Sequence, residues 1–231
     1  MQPKWALSSA GVRAASSVAL LGLATALVVV PSRADVASPN DAANRAPNAL
    51  TPTFPPRIAS YRLEARLDEN THSVAGKGTI TFTNATKEPT SELFFHLYLN
   101  AFKNEKTLFM RSPFTGSRSA RMLGRPGSIT VKRLSSQRFE GKNLWENAEK
   151  HTPGDPDDST DIRVPLPAAI APGETVSFDV EFSSELPEIV ERTGFSRSFH
   201  LVAQWFPKLA RREANGGWAH FPFHPHAEFY A

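Results

Sequence analysis

The chain of 231 residues contains no cysteine. Disulfides, thiolate nucleophiles and cysteine-based zinc sites are therefore excluded, and stability has to come from a packed core or from a further domain. The usual catalytic strings are missing as well. There is no H-E-x-x-H, no G-x-S-x-G and no phosphate-binding glycine loop, and no serine is singled out by its surroundings as a triad nucleophile. An excess of one charge is also lacking once the N-terminus is set aside. Residues 1–34 hold three basic side chains, Lys4, Arg13 and Arg33, and no acid; without them the 26 basic residues fall to 23, matching the 23 acidic ones. A balanced chain gives no electrostatic reason to expect nucleic acid as a partner.

What is present begins with a leader. Lys4 and Arg13 precede a small and apolar run over 14–30, and Pro31-Ser32-Arg33-Ala34 offers small residues at Ser32 and Ala34 for cleavage. At about 17 residues the run is at the lower limit for crossing a bilayer, so residues 1–34 are expected to be a cleaved helical signal peptide that leaves no stable membrane span. The protein is thus expected to be exported, to a periplasm or outside the cell. Residues 35–57 are polar, alanine-rich and broken by Pro39, Pro47, Pro52, Pro55 and Pro56, the composition of a disordered linker.

Strand periodicity starts at Tyr61. Tyr61, Leu63, Ala65 and Leu67 alternate with Arg62, Glu64, Arg66 and Asp68, the pattern of a half-buried strand with one wet face. GKGTITFTN places Ile80 and Phe82 opposite Thr79, Thr81 and Thr83, so an antiparallel pair is expected. LFFHLYLN loads both faces, Leu93, Phe95, Leu97 and Leu99 against Phe94 and Tyr98, as a central strand would. These three strands are expected at about 58–68, 73–83 and 91–99. A short strand at 128–134 carries Ile129, Val131 and Leu134; another has Ile162, Val164 and Leu166; and the clearest sets Val176, Phe178, Val180 and Phe182 against Ser177, Asp179 and Glu181. The expected fold is all-β, a mainly antiparallel β-sandwich over 58–231, with an irregular insertion at about 103–160.

Several local features carry bland and functional readings side by side. Residues 103–133 hold eight basic side chains and one acid, Glu105, without aromatic interleaving, and are expected to be a solvated insertion offset by the acids that follow. Among those acids, GDPDDSTD has the density of a calcium loop, but Pro156 breaks the ligand spacing, and a surface turn is expected. Asn84-Ala85-Thr86 matches a glycosylation acceptor, a three-residue pattern too common to carry weight. His220, His224 and His226, with His200 nearby, are candidate zinc ligands. Pro222 and Pro225 interrupt that stretch, and packing of the rings among Trp218, Phe221 and Phe223 is the expectation; no metal ligand is assigned. The sequence ends at Ala231 within an apolar segment, which suggests a polypeptide that continues.

The succession Tyr61-Arg62-Leu63, Gly76-Lys77-Gly78-Thr79-Ile80, Asn84, then Leu93 through Phe102 resembles the start of the aminopeptidase N family of zinc metallopeptidases, bacterial exported type. Val202-Ala203-Gln204-Trp205-Phe206-Pro207-Lys208-Leu209-Ala210, Gly217-Trp218 and Glu228-Phe229-Tyr230-Ala231 continue the likeness, which spans about 58–231. The resemblance implies a saddle-shaped N-terminal β-domain leaning on a separate zinc-bearing helical domain. It implies no cofactor in this chain, since zinc and the H-E-x-x-H motif belong to the absent domain, and therefore no catalytic residue and no peptidase activity of the chain alone. It also implies a substrate-contacting residue. Gln204 matches the family's glutamine that reaches toward the peptide, whereas Phe206 stands where a glutamate often follows. Gln204 then either contacts a peptide backbone or satisfies backbone groups beside Trp205. The rival to the peptidase domain is an autonomous secreted module that binds peptide, glycan or protein.

Overall fold

A computed structural model describes residues 57–112, 124–151, 155–188 and 193–223. All of them belong to the unit Phe54–Ala231. The expected leader 1–34, the linker up to residue 56, and His224, His226 and Glu228 to Ala231 lie outside the described residues. Among the described residues, no helix is long and apolar enough to cross a membrane.

The first sheet is built from β1 (Ala59–Asp68), β2 (Ser73–Thr83), β4 (Ser128–Ser135) and β7 (Thr175–Glu185), in the order β1-β2-β7-β4. Every pairing in it is antiparallel. Alternation sets its two faces. Ile80 and Phe82 line up with Phe178 and Val176 on the inner face, and all four are buried. The outer face carries a hydroxyl ladder, with Thr81 Oγ1 and Ser177 Oγ 3.1 Å apart and Thr83 Oγ1 and Thr175 Oγ1 2.9 Å apart, as cross-strand threonine and serine pairs favour. Gly76 and Gly78 interrupt the inner face for two distinct reasons. A Cβ at Gly76 would enter the Phe182 ring; at Gly78, where φ is +154°, it would strike the Arg62 carbonyl.

The second sheet combines β3 (Thr90–His96), β5 (Glu149–Lys150), β6 (Asp161–Ile170) and β10 (Lys208–Leu209), in the order β10-β3-β6-β5. Its pairings are antiparallel too. β3 is therefore central, and Leu93, Phe94, Phe95 and His96 are all buried, as the two-sided apolar pattern implies. Inner residues of both sheets join one hydrophobic cluster that includes Phe82, Phe95, Val164 and Phe178. The architecture is thus all-β, mainly antiparallel and sandwich-like, with two hairpin-like appendages: β8 (Gly194–Ser196) with β9 (Phe199–Leu201), and β11 (Arg211–Arg212) with β12 (Trp218–Ala219).

Three expectations are corrected and a fourth is met by an irregularity. β1 alternates in burial only as far as Leu63; Ala65 is exposed and Leu67 is 38% exposed, although their β2 partners Gly76 and Val74 are buried, because β1 is the edge strand of its sheet. β3 stops at His96, and Tyr98–Phe102 winds into a buried 3₁₀ turn, held where Asn100 donates to the Ser159 carbonyl and accepts from Ile129 N–H. β4 carries Ile129, Val131 and Leu134 in its buried set as expected; the last two, three residues apart, share a side because a bulge between Val131 and Arg133 inserts the extra residue. The acidic run ends in the interior rather than as a surface turn: Asp158, Ser159, Thr160 and Asp161 are buried, with Asp158 Oδ1 capping Thr160 N–H at 2.9 Å. Asn84 is buried too, donating to the Glu88 and Ile170 carbonyls, so the tripeptide is a turn device. Part of the basic segment meets those acids as expected, through an Arg111–Asp155 ion pair.

Candidate functional site: the Gln204 loop and the histidine cluster

Gln204 sits in the loop 202–207 between β9 and β10, half-buried. Its φ is +55°, left-handed backbone that a glutamine side chain disfavours by about 1–2 kcal/mol. Such a conformation persists only where neighbouring contacts over-determine it, and both neighbours of Gln204 are tied. On one side the Thr193 hydroxyl donates to the Ala203 carbonyl at 2.8 Å and accepts from Ala203 N–H at 3.3 Å. On the other, the Ser184 hydroxyl donates to the Trp205 carbonyl at 2.5 Å. Ser184 and Thr193 are themselves buried, so the loop is pinned from the inner end of β7 and from the start of β8.

Aromatic packing completes the clamp. Trp205 lies 5.8 Å from Phe182 and 5.3 Å from Phe206 between ring centroids, and Phe206 meets Tyr61 edge-on at 5.5 Å. The Tyr61 hydroxyl accepts from Leu209 N–H at 2.9 Å; burial pushes its pKa up to about 12, which the bond from Leu209 moderates. The tyrosine is a neutral acceptor at any physiological pH. Beside Trp205, it is Ser184 and Thr193 that satisfy the backbone. The Gln204 amide has no hydrogen-bond partner among the described residues, leaving one donor pair and one acceptor available to a ligand.

Among the described residues the histidines do not converge on a common point. His220 Nδ1 lies 2.7 Å from Asp161 Oδ2, and its ring stacks on Phe94 at 3.9 Å. His151 approaches that ring edge-on at 5.0 Å. Asp161 is almost wholly buried; desolvation raises its pKa, and the His220 hydrogen bond opposes this. His96 faces Asp161 across β3 and β6 and Lys208 across β3 and β10. It is 1% exposed, stacks on Tyr98 at 4.6 Å, and neither ring nitrogen has a hydrogen-bond partner. Burial, with Lys208 and His220 adding to it, pushes its pKa down to about 3. His200 turns away to His72 at 2.9 Å.

Packing against Trp218 and Phe223 falls to other rings: Phe94 and Phe82 flank Trp218, and Phe223 lies between Tyr98 and Phe109. Among the described residues no group of three or more His, Asp or Glu gathers around a common point. The side chains described therefore do not fit the zinc centre of a metallopeptidase. His72, Ser184 and Thr193, which organise these sites, escape sequence reading because each acts on a distant segment and none sits in a motif. Comparison with models of known families and with curated proteins gives no match.

Proposed function

We propose that this chain is the non-catalytic N-terminal β-domain of an aminopeptidase N-like zinc metallopeptidase, in which Gln204 forms part of the wall of a peptide cleft. The observation that carries the proposal is the Gln204 loop, a strained backbone fixed on both sides by buried hydroxyls with an unpartnered amide at its apex. Peptide recognition by backbone hydrogen bonds needs such a preorganised donor and acceptor. Phe206, packed on Tyr61 and Trp205, offers no carboxylate for a free α-amino group, so selectivity for an amino terminus rests on groups outside the described residues. Zinc chemistry belongs to a second segment carrying H-E-x-x-H, either in the same polypeptide or in a partner chain. The account also assigns the chain to a periplasmic or extracellular compartment, on the leader alone.

Exposed apolar side chains support a covering domain over a free-standing module. Of four large hydrophobic side chains exposed among the described residues, three lie in the last part of the chain: Phe199 at 60%, Phe221 at 45% and Leu201 at 41%. The test has two arms. Purified chain supplied with zinc is assayed on chromogenic amino-acid amides, where no turnover above a metal-free control is expected. The polypeptide encoded downstream or in an adjacent frame is then co-expressed; copurification of an H-E-x-x-H segment supports the proposal. Turnover by the chain alone, or a downstream frame with no such segment, overturns it.

A further inference from the structure

His72 and His200 are 128 residues apart, yet His72 Nδ1 and His200 Nε2 lie 2.9 Å from each other. His72 closes the β1–β2 turn, and His200 is the middle residue of β9. Both are half-buried, so solvent reaches the pair. We infer that this pair is a binding site for a late first-row divalent cation, copper(II) or nickel(II) before zinc(II), joining the β1–β2 turn to the β8–β9 hairpin.

Two imidazole nitrogens bound at about 2.0–2.1 Å with a right angle at the metal stand about 2.9 Å apart, whereas tetrahedral coordination separates them by about 3.3–3.4 Å. The observed 2.9 Å is the length of the N–H···N hydrogen bond that joins the metal-free pair and equals one edge of a square-planar or tetragonal centre, so a cation can replace the proton without moving the nitrogens apart. The rings are also held ready. His72 lies flat on Phe195, 3.6 Å between centroids and 4° between planes, and its carbonyl accepts from Leu186 N–H at 2.9 Å. Arg125 donates to the Thr71 carbonyl at 2.9 Å and places its guanidinium 5.8 Å from the Phe195 ring. His72 keeps φ at +50°, so its direction is imposed by this frame.

Two further features keep the cost of binding low. Neither ring has a hydrogen-bond partner other than its twin among the described residues, so binding breaks one N–H···N bond. In the neutral pair one ring donates through the nitrogen the metal would take. That ring changes tautomer through solvent, its proton moving to its other nitrogen, and no net proton is released. Water fills the remaining coordination positions, since no third protein ligand is near among the described residues.

The test uses tag-free chain without any catalytic partner, so its failure is distinct from failure of the peptidase reading. Copper(II), nickel(II) and zinc(II) chlorides are titrated separately by calorimetry. One equivalent of copper(II) is expected to bind most tightly, and at a hundredfold excess over Kd it should raise Tm by about 5–10 °C. His72→Asn, which tolerates the left-handed backbone, and His200→Gln should each lower affinity by about tenfold or more. His151→Gln should leave it unchanged. Because a variant could fail to fold, copper(II) is also added to wild-type protein during histidine-selective NMR, where the His72 and His200 signals should broaden first. Absence of binding, wild-type affinity in the His72 and His200 variants, or broadening confined to other histidines overturns the inference.

Discussion

His96 offers a quantitative test of how the second sheet is assembled. Its ring is 1% exposed between β10 and β6, without a hydrogen-bond partner, and its pKa is pushed down to about 3 by burial, with Lys208 and His220 adding to the effect. An unfolded histidine titrates near 6.5, so between about pH 6.5 and pH 3 the unfolded chain holds a proton that the folded chain refuses. Stability from this residue is complete above pH 6.5 and lost as pH falls, at about 1.4 kcal/mol per unit. From pH 7.5 to pH 4.5 the loss is about 2.7 kcal/mol. His96→Phe keeps a ring against Tyr98 and abolishes the titration. Urea unfolding followed by tryptophan fluorescence at the two pH values should show the variant's advantage growing by about 2.7 kcal/mol. Any misfit of the phenyl ring is independent of pH and cancels in that difference. Asp161, with a raised pKa, gains stability as pH falls, in the opposite sense, but does so in both proteins. An advantage that stays constant with pH would refute the burial argument.

Other substitutions probe the loop and the first sheet. Gly78→Ala puts a methyl against the Arg62 carbonyl at positive φ and should cost on the order of 2 kcal/mol in urea unfolding. Ser184→Ala removes the donor to the Trp205 carbonyl; a loss of about 1–2 kcal/mol and faster hydrogen exchange across 202–207 are expected. Gln204→Gly relieves left-handed strain and should raise stability by up to about 1 kcal/mol, an effect read as a higher urea midpoint.

The β1, β2, β6 and β7 patterns were legible because each keeps period two where the core covers it, as in Val176, Phe178, Val180 and Phe182. Where an outside contact intervenes, periodicity misleads. Leu97 and Leu99 continue the alternation of β3 on paper, yet the Asn100 bonds to Ser159 and Ile129 turn the chain into a 3₁₀ bend. Val131 and Leu134 break the alternation on paper, and a bulge restores it in space. Gln204 was picked out by the segment around it, but its conformation was not. That depends on Ser184 and Thr193, residues without a motif whose roles exist only after β7 and β8 are in place. The His72–His200 contact is equally invisible, since a turn residue and a strand residue meet only through the tertiary fold.

If, as proposed, the pinned Gln204 loop serves a peptide cleft completed by another segment, the most direct test is steady-state hydrolysis of a dipeptide amide by the chain together with the H-E-x-x-H segment the proposal requires, comparing wild type with Gln204→Ala. The account predicts about a tenfold or greater loss of kcat/KM, as expected for one lost hydrogen-bonding side chain, with folding stability undiminished. Unchanged kcat/KM in the variant would contradict it.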